Sequence, residues 1–310
     1  METYSAPPLL FNRHLETIFP SLLRKVELNS YQRERIFTPD HDFLDLDWLK
    51  QGSNQLVIIS HGLEGNTERS YMKGMAKIFY QNGYDVLTWN YRGCSGEVNN
   101  QLRFYHSGAT DDLKTVVNHA ALNYQNIFLV GFSLGGNLTL KYLGEIDTHP
   151  KLKKAVVFSV PMDLYGSCLR ILKPHNWIYH QRFLKSLKIK VIQKSKLQPA
   201  LDISKLDQVK TLLEFDEHFT APIHGFKNAI EYYTESSAIR FLKNIQLPTL
   251  IVNAKNDPFL SATCFPNLSK HQSILMEIPE RGGHVGFAQF NRNGLYWSEL
   301  RALSFIQDHD

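Results

Sequence analysis

The sequence predicts an α/β fold with a mostly parallel central sheet flanked by helices and a helical cap insertion. Three observations carry this. Short apolar runs alternate with helix-like stretches through the first 160 residues of the 310. A Gly-x-Ser-x-Gly segment stands between one such run and a helix. The alternation then stops between Pro161 and about Gln246 and resumes afterwards. The expected division is therefore a core of residues 1–160 and 246–310 and a cap of residues 161–245.

Each element has its own signal. Leu44, Leu46 and Trp48 alternate with Asp45 and Asp47, the period of a half-buried strand, and Arg33 to Phe37 before them completes an antiparallel hairpin at the sheet edge. Leu56-Val57-Ile58-Ile59-Ser60 is a strand that stops at His61-Gly62. Tyr71 to Tyr80 has helical spacing, with Asn82-Gly83 as its C-cap. Val86 to Tyr91 is the next strand, closed by Arg92-Gly93, and Asp111 to Tyr124 is an amphipathic helix with Leu113, Val116, Val117, Ala120 and Ala121 on one face. Ile127 to Val130 is a buried strand leading to a helix after Ser133. Ala155–Phe158, Thr249–Val252 and Ile274–Ile278 read as further strands, and Tyr296 to Gln307 as a closing helix.

Composition narrows the class. At 43% hydrophobic and 21% charged residues, the chain has material for a sizeable core and is not intrinsically disordered. A net charge of +4 is too small to argue for nucleic acid as a partner. Cys94, Cys168 and Cys264 form neither a CxxC pair nor a metal-ligand spacing, which excludes a disulfide scaffold and suits a reducing compartment. Met1 to Ser5 has no basic stretch of the kind that opens a signal peptide, and no run approaches the roughly 18 apolar residues of a membrane helix. The charge is unevenly placed. Between Arg170 and Ala200 lie eight Lys and Arg and no acid, leaving 26 basic against 30 acidic residues elsewhere. Interleaved with Trp177, Ile178, Phe183, Leu184, Leu187 and Ile189, this basic cap would rest weakly on an anionic membrane surface or draw in an anionic substrate. The plainer reading of the same residues is a lid with a solvated basic face.

The chemistry centres on Gly131-Phe132-Ser133-Leu134-Gly135. Between a strand and a helix this is the pattern of a nucleophile elbow, in which small residues two positions either side let a sharp turn expose the Ser133 hydroxyl. A nucleophilic serine needs a base and an orienting acid, in the chain order Ser, Asp or Glu, His. Asp257 lies in the loop after the strand Thr249–Val252, and His284 follows Gly282-Gly283 after the last strand. Asp163, after the preceding strand, competes with Asp257 and is disfavoured. The oxyanion hole is expected from the backbone N–H groups of Leu134 and of Leu63, the latter in the loop His61-Gly62-Leu63-Glu64-Gly65. His106 and Ser107, just before a helix, read as capping residues rather than a second catalytic pair.

At these residues the chain resembles the α/β-hydrolase superfamily, and its YheT-like branch, the AB hydrolase-4 group, in particular. The resemblance runs nearly end to end. It includes Asn12-Arg13-His14-Leu15-Glu16-Thr17, where the family usually has Asn-Pro-His-Leu-Gln-Thr, and the blocks His61–Gly65, Asn90–Gly96, Tyr105–Gly108, Gly131–Asn137 and Phe215–Tyr233. It implies an α/β-hydrolase fold and carboxylester hydrolysis by Ser133, Asp257 and His284, with no metal and no organic cofactor. The expected partner is a small-molecule or lipid ester, with no nucleic acid and no transmembrane segment, in a cytoplasmic protein. Thioesterase, lipase, amidase and acyltransferase chemistry use the same constellation. The alternative outside catalysis is a hydrolase-fold binding or scaffold protein.

Overall fold

Leu56, Val57, Ile58 and Ile59 retain no exposed surface. A run apolar at every position is buried this way inside a parallel sheet covered by helices on both faces, and each such side chain stabilises the fold by about 1.5–3 kcal/mol. In the computed structural model, which describes residues 3–145, 148–291 and 293–308, this run is β3 (Gln55–Ser60). Met1 and Glu2, the start of the segment read above against a signal peptide, lie outside the described residues.

The other strands are β1 (Gln32–Phe37), β2 (Phe43–Leu49), β4 (Asp85–Asn90), β5 (Asn126–Phe132), β6 (Leu152–Phe158), β7 (Thr249–Val252) and β8 (Ile274–Glu277). They form one eight-stranded sheet in the order β1-β2-β4-β3-β5-β6-β7-β8. β1–β2 and β2–β4 pair antiparallel, and every other neighbour pairs parallel. From β3 the chain crosses first to β4 on one side and then back to β5 on the other. The loops leaving β3 and β5 therefore diverge and open a crevice at their carboxyl ends, where ligands bind in sheets of this kind.

Helices α3 (Thr110–Ala121) and α4 (Leu134–Gly144) cover one face, where Leu113, Val116, Leu138 and Leu143 join a single apolar cluster with the sheet. Helix α2 (Ser70–Gln81) covers the other face through Met72, Met75 and Phe79, beside the closing helix, Trp297–Gln307, through Trp297 and Ile306. A further helix, α1 (Arg13–Leu23), has no counterpart in the sequence reading; Asn12 caps it by accepting from the His14 and Leu15 amides.

Two expectations about polar residues need correction. Asp45 and Asp47 were expected on a solvated face of β2, yet every residue of that strand is buried. The cause is the next strand. Arg35 and Arg33 of β1 each lie across their aspartate in a bidentate pair, at 2.7–2.9 Å, and Thr67 and Asn90 also donate to Asp47. Nor do His106 and Ser107 cap α3, whose N-cap is Ala109 without a side-chain hydrogen bond. Ser107 instead receives the Tyr232 hydroxyl on its own, and its carbonyl accepts from Asn137.

Between β6 and β7 the chain forms α5 (Leu164–Ile171), the long α6 (Trp177–Leu197), a short helical segment with a π turn at Asp216–Thr220, and α7 (Ala229–Ser236). These share a separate apolar cluster that includes Leu184, Val191, Phe215, Phe219 and Tyr233. The closing helix is α8 in this order.

The loop after β4 is pinned by charge. The buried Arg92 donates to Asp40, Asp42 and Asp112 at 2.7–3.2 Å. Burial would raise the Asp40 carboxyl, but its hydrogen bonds with Arg92 and Thr38 and the nearby Arg103 charge pull it down to about 2. Removing the guanidinium leaves buried carboxylates without their counter-charge, so Arg92→Met should lose about 3–5 kcal/mol in guanidinium unfolding at neutral pH. A depressed carboxyl stabilises the fold above its ordinary value and loses that contribution below it. The gap between wild type and variant should accordingly narrow in the same titration as the pH falls from 3.8 towards 2.

Candidate active site

Ser133 stands between β5 and α4 with φ 53° and ψ −117°, a conformation that an L-residue holds only at a cost of about 1–3 kcal/mol. The turn is possible because its neighbours lack side chains. A Cβ on Gly131 would sit 2.5 Å from the Gly135 carbonyl oxygen, and one on Gly136 2.6 Å from a Val160 methyl. The Ser133 amide continues the β5–β6 ladder by donating to the Phe158 carbonyl at 2.9 Å. The hydroxyl is thereby held above the carboxyl edge of the sheet.

His284 reaches it from the loop after β8. Its Nε2 lies 2.9 Å from Ser133 Oγ, and its Nδ1 lies 2.8 Å from Asp257 Oδ2. A carboxylate only accepts, so Nδ1 carries the proton and Nε2 is free to accept from the serine hydroxyl. Asp257, buried in the loop after β7, is fixed in turn by the Phe259 amide donating to its other oxygen at 2.8 Å. The competing Asp163 is elsewhere: it caps α5, accepts from the Gly166 amide and receives the Thr263 hydroxyl.

Leu63 and Leu134 line the same cavity as Ser133. Leu134 is the first residue of α4, so its N–H is one of the donors a helix start leaves without an intrahelical partner. The Leu63 N–H is aimed by its own peptide plane. The Gly62 carbonyl, on the opposite side of that plane, accepts from the Gly65 amide at 3.0 Å and from His61 Nδ1 at 2.8 Å. Burial pulls the His61 pKa down to about 3, so the ring is neutral. Its Nε2 accepts from the Tyr91 amide at 3.3 Å, which leaves the ring proton on Nδ1 to hold the carbonyl. Among the described residues, no cluster of His, Cys, Asp and Glu could hold a metal ion.

The cavity is about 370 Å³ and runs from Ser133 and His284 under α6 to Cys168, Asp216 and Tyr233. Ile18 and Leu22 of α1, Arg69 before α2, and Ile178 and Arg182 of α6 also line it.

A family model described as serine aminopeptidase S33, Hydrolase_4, matches residues 51–272. A relative named "Putative esterase YheT", from Escherichia coli (strain K12), is 33% identical over 89% of this chain and 84% of its own. The chain belongs to the α/β-hydrolase superfamily. A bovine relative named phospholipase ABHD3 is 28% identical over 93% of this chain and 74% of its own. The solved structure of the Pyrococcus furiosus esterase Pf2001 superposes with a TM-score of 0.60 at 16% identity, over 92% of this chain and 96% of that one, and shares the fold.

This α/β-hydrolase carries one support for the site that the sequence reading left without a role. Glu16 of α1, fully buried, accepts from Asn256 at 2.7 Å, from Arg281 at 2.7 Å and from the Gly282 amide at 3.0 Å. Thr17 accepts from the His284 amide at 3.0 Å and donates back to Arg13. One helical turn thus ties the loops of Asp257 and His284 together. Asn12-Arg13-His14-Leu15-Glu16-Thr17 stood out as a block, but nothing local says that it reaches residues 240 and 265 positions away. Glu16→Leu leaves the Asn256 and Gly282 donors unpaired and Arg281 without its counter-charge, and should lower stability by about 3 kcal/mol in thermal or chaotropic unfolding. Glu16→Gln, which keeps the acceptor, should recover more than half of that loss.

Proposed function

We propose that this α/β-hydrolase is a serine carboxylesterase that cleaves acyl esters through an acyl-enzyme. The observation that carries the reading is the unbroken line of hydrogen bonds from Asp257 through His284 to the strained Ser133, at 2.8 and 2.9 Å. In this reading Ser133 Oγ attacks the ester carbonyl carbon while its proton passes to His284 Nε2. Asp257 keeps the imidazole in the competent tautomer and stabilises the cation. The Leu63 and Leu134 amides donate to the oxyanion. Collapse of the tetrahedral adduct breaks the bond to the alcohol oxygen, which leaves with the proton from Nε2. Water then gives a proton to Nε2 and attacks the acyl carbon, and the second collapse returns Ser133 as its hydroxyl.

The substrate belongs, in the same proposal, among small or lipid-like esters. Apolar Ile18, Leu22, Ile178 and Phe183 line the cavity, and a related chain is named a phospholipase. Ser133→Ala should lower turnover of p-nitrophenyl esters by about 10⁶-fold with an unchanged melting transition. Retained turnover in that variant would overturn the assignment. The profile from acetate to palmitate in the wild type sizes the acyl pocket.

Membrane contact forms part of the proposal in a narrower shape than the charge count suggested. Of the eight basic residues between Arg170 and Ala200, Lys190 and Lys194 turn inward, onto Glu64 and Cys94 and onto Asn99 and Gln101. Lys173, Arg182 and Lys185 remain exposed on the stretch that carries Trp177, 62% exposed, and Ile178, 67% exposed, beside the cavity. In vesicle cosedimentation at low salt, binding should favour phosphatidylglycerol over phosphatidylcholine, and Lys173→Glu/Lys185→Glu should erase the difference. Equal binding of the wild type to both vesicles would remove the electrostatic contact. Cys94, Cys168 and Cys264 are all free thiols and buried, which supports a cytoplasmic setting.

A further inference from the structure

Glu64 follows Leu63 in the turn after β3 and adopts φ 52°, in the left-handed region that only glycine enters without strain. Every polar group of this residue is held. Its amide donates to the Tyr105 hydroxyl at 2.9 Å, and that hydroxyl donates back to Glu64 Oε1 at 2.7 Å. Its carbonyl accepts from Arg69 at 3.1 Å. The same Oε1 accepts at 2.8 Å from Lys190, which comes not from the sheet but from the middle of α6 in the cap. The Lys190 ammonium also lies 3.2 Å from Cys94 Sγ and 4.7 Å from the centre of the Tyr105 ring.

A buried ion pair is a poor adhesive. Both side chains are only 12% exposed, and taking two charges out of water costs about what their attraction returns, so a packed apolar pair would hold the cap as well or better. An ion pair does fix the position of one oxygen atom, and through Tyr105 that oxygen fixes the backbone of residue 64. Among the described residues, no other ion pair reaches the turn Gly62–Gly65. Burial alone would lower the Lys190 pKa, but Cys94 and Glu64 outweigh burial and raise it, so the ammonium stays charged.

We propose that Lys190 is a positioning residue for the oxyanion hole: its ion pair with Glu64 couples the seating of cap helix α6 to the aim of the Leu63 N–H. The proposal rests on the esterase reading above. The cap then does more than roof the cavity. When α6 is seated, residue 64 is locked in its strained conformation and the preceding N–H points at the place where the oxyanion forms. When the pair is absent, the turn relaxes and one oxyanion donor is misdirected. Substrate binding depends on the cavity walls and changes little, whereas the transition state loses a hydrogen bond.

The test compares wild type, Lys190→Met, Lys190→Arg and Tyr105→Phe in kcat and KM for one p-nitrophenyl ester, and in affinity for a trifluoromethyl ketone that forms the tetrahedral adduct. Loss of a whole oxyanion donor lowers kcat by about 10²–10³-fold, so a misaimed one should lower it by about 10-fold or more. Lys190→Met and Tyr105→Phe should both show that fall with KM within a factor of about two and with ketone affinity falling in parallel. Lys190→Arg should restore most of the rate. If Lys190→Met does not fold, Tyr105→Phe, which removes one hydroxyl, carries the test alone. Unchanged kcat and ketone affinity in Tyr105→Phe and in folded Lys190→Met, whatever their melting temperatures, would overturn the proposal and leave the esterase reading intact. Turnover in the wild type that does not depend on Ser133 would overturn both.

Discussion

Ser133 occupies a backbone conformation that its own chemistry disfavours, and the rest of the site is arranged around that fact. A strained residue persists only where its surroundings over-determine it. Here β5 arrives buried from Ile127 onward, the Ser133 amide bonds to β6, and α4 departs with all eleven residues buried. Glycine at 131, 135 and 136 lets the helix lie against the strand and against the loop after β3. The stabilisation that holds the turn is distributed through the sheet, at about 1.5–3 kcal/mol for each buried aliphatic side chain, and easily exceeds the local strain.

The three loops that meet Ser133 are not stiff by composition. Gly282 and Gly283 both have positive φ, and the His284 loop would wander if left to itself. Order comes from outside the loops. Glu16 and Thr17 hold the segment on one side, and Ser159, itself at φ 53°, accepts from the Val285 amide on the other. The sheet supplies direction, and an N-terminal helix supplies the registration of the Asp257 loop against the His284 loop.

What was legible in the sequence was whatever has a local cause. An apolar run of four residues, a glycine two positions from a serine, or a post-strand histidine acts through neighbours in the chain, so Ser133, Asp257 and His284 could be named and are found within hydrogen-bond reach. What was not legible has partners far away. Asp45 and Asp47 look like a wet face until Arg35 and Arg33 are laid across them by the register of β1 on β2. Lys190 and Lys194 look like two more surface charges of a basic helix until the fold turns them onto Glu64 and Asn99. Residue type alone cannot distinguish a solvated lysine from one whose three donors are taken by a distant loop.

Directed contacts join the segment between β6 and β7 to the rest of the chain alongside apolar ones, such as Ala238 and Leu242 in the sheet's cluster and Phe104 in that of the segment. Lys190 meets Glu64, Lys194 donates to the Asn99 and Gln101 carbonyls, Asn176 donates to the Pro258 carbonyl, and Asn137 of α4 donates to the Ser236 carbonyl and accepts from the Ala238 amide. An apolar contact tolerates sliding by an ångström, because its energy depends on area; a buried hydrogen bond does not, because a donor moved out of reach is left unpaired at a cost of about 1–3 kcal/mol. Two of these contacts fall beside site residues, at Glu64 next to Leu63 and at Pro258 next to Asp257. These contacts fix the segment between β6 and β7 against the loops of Leu63 and Asp257, which are braced from above as well as from the sheet beneath.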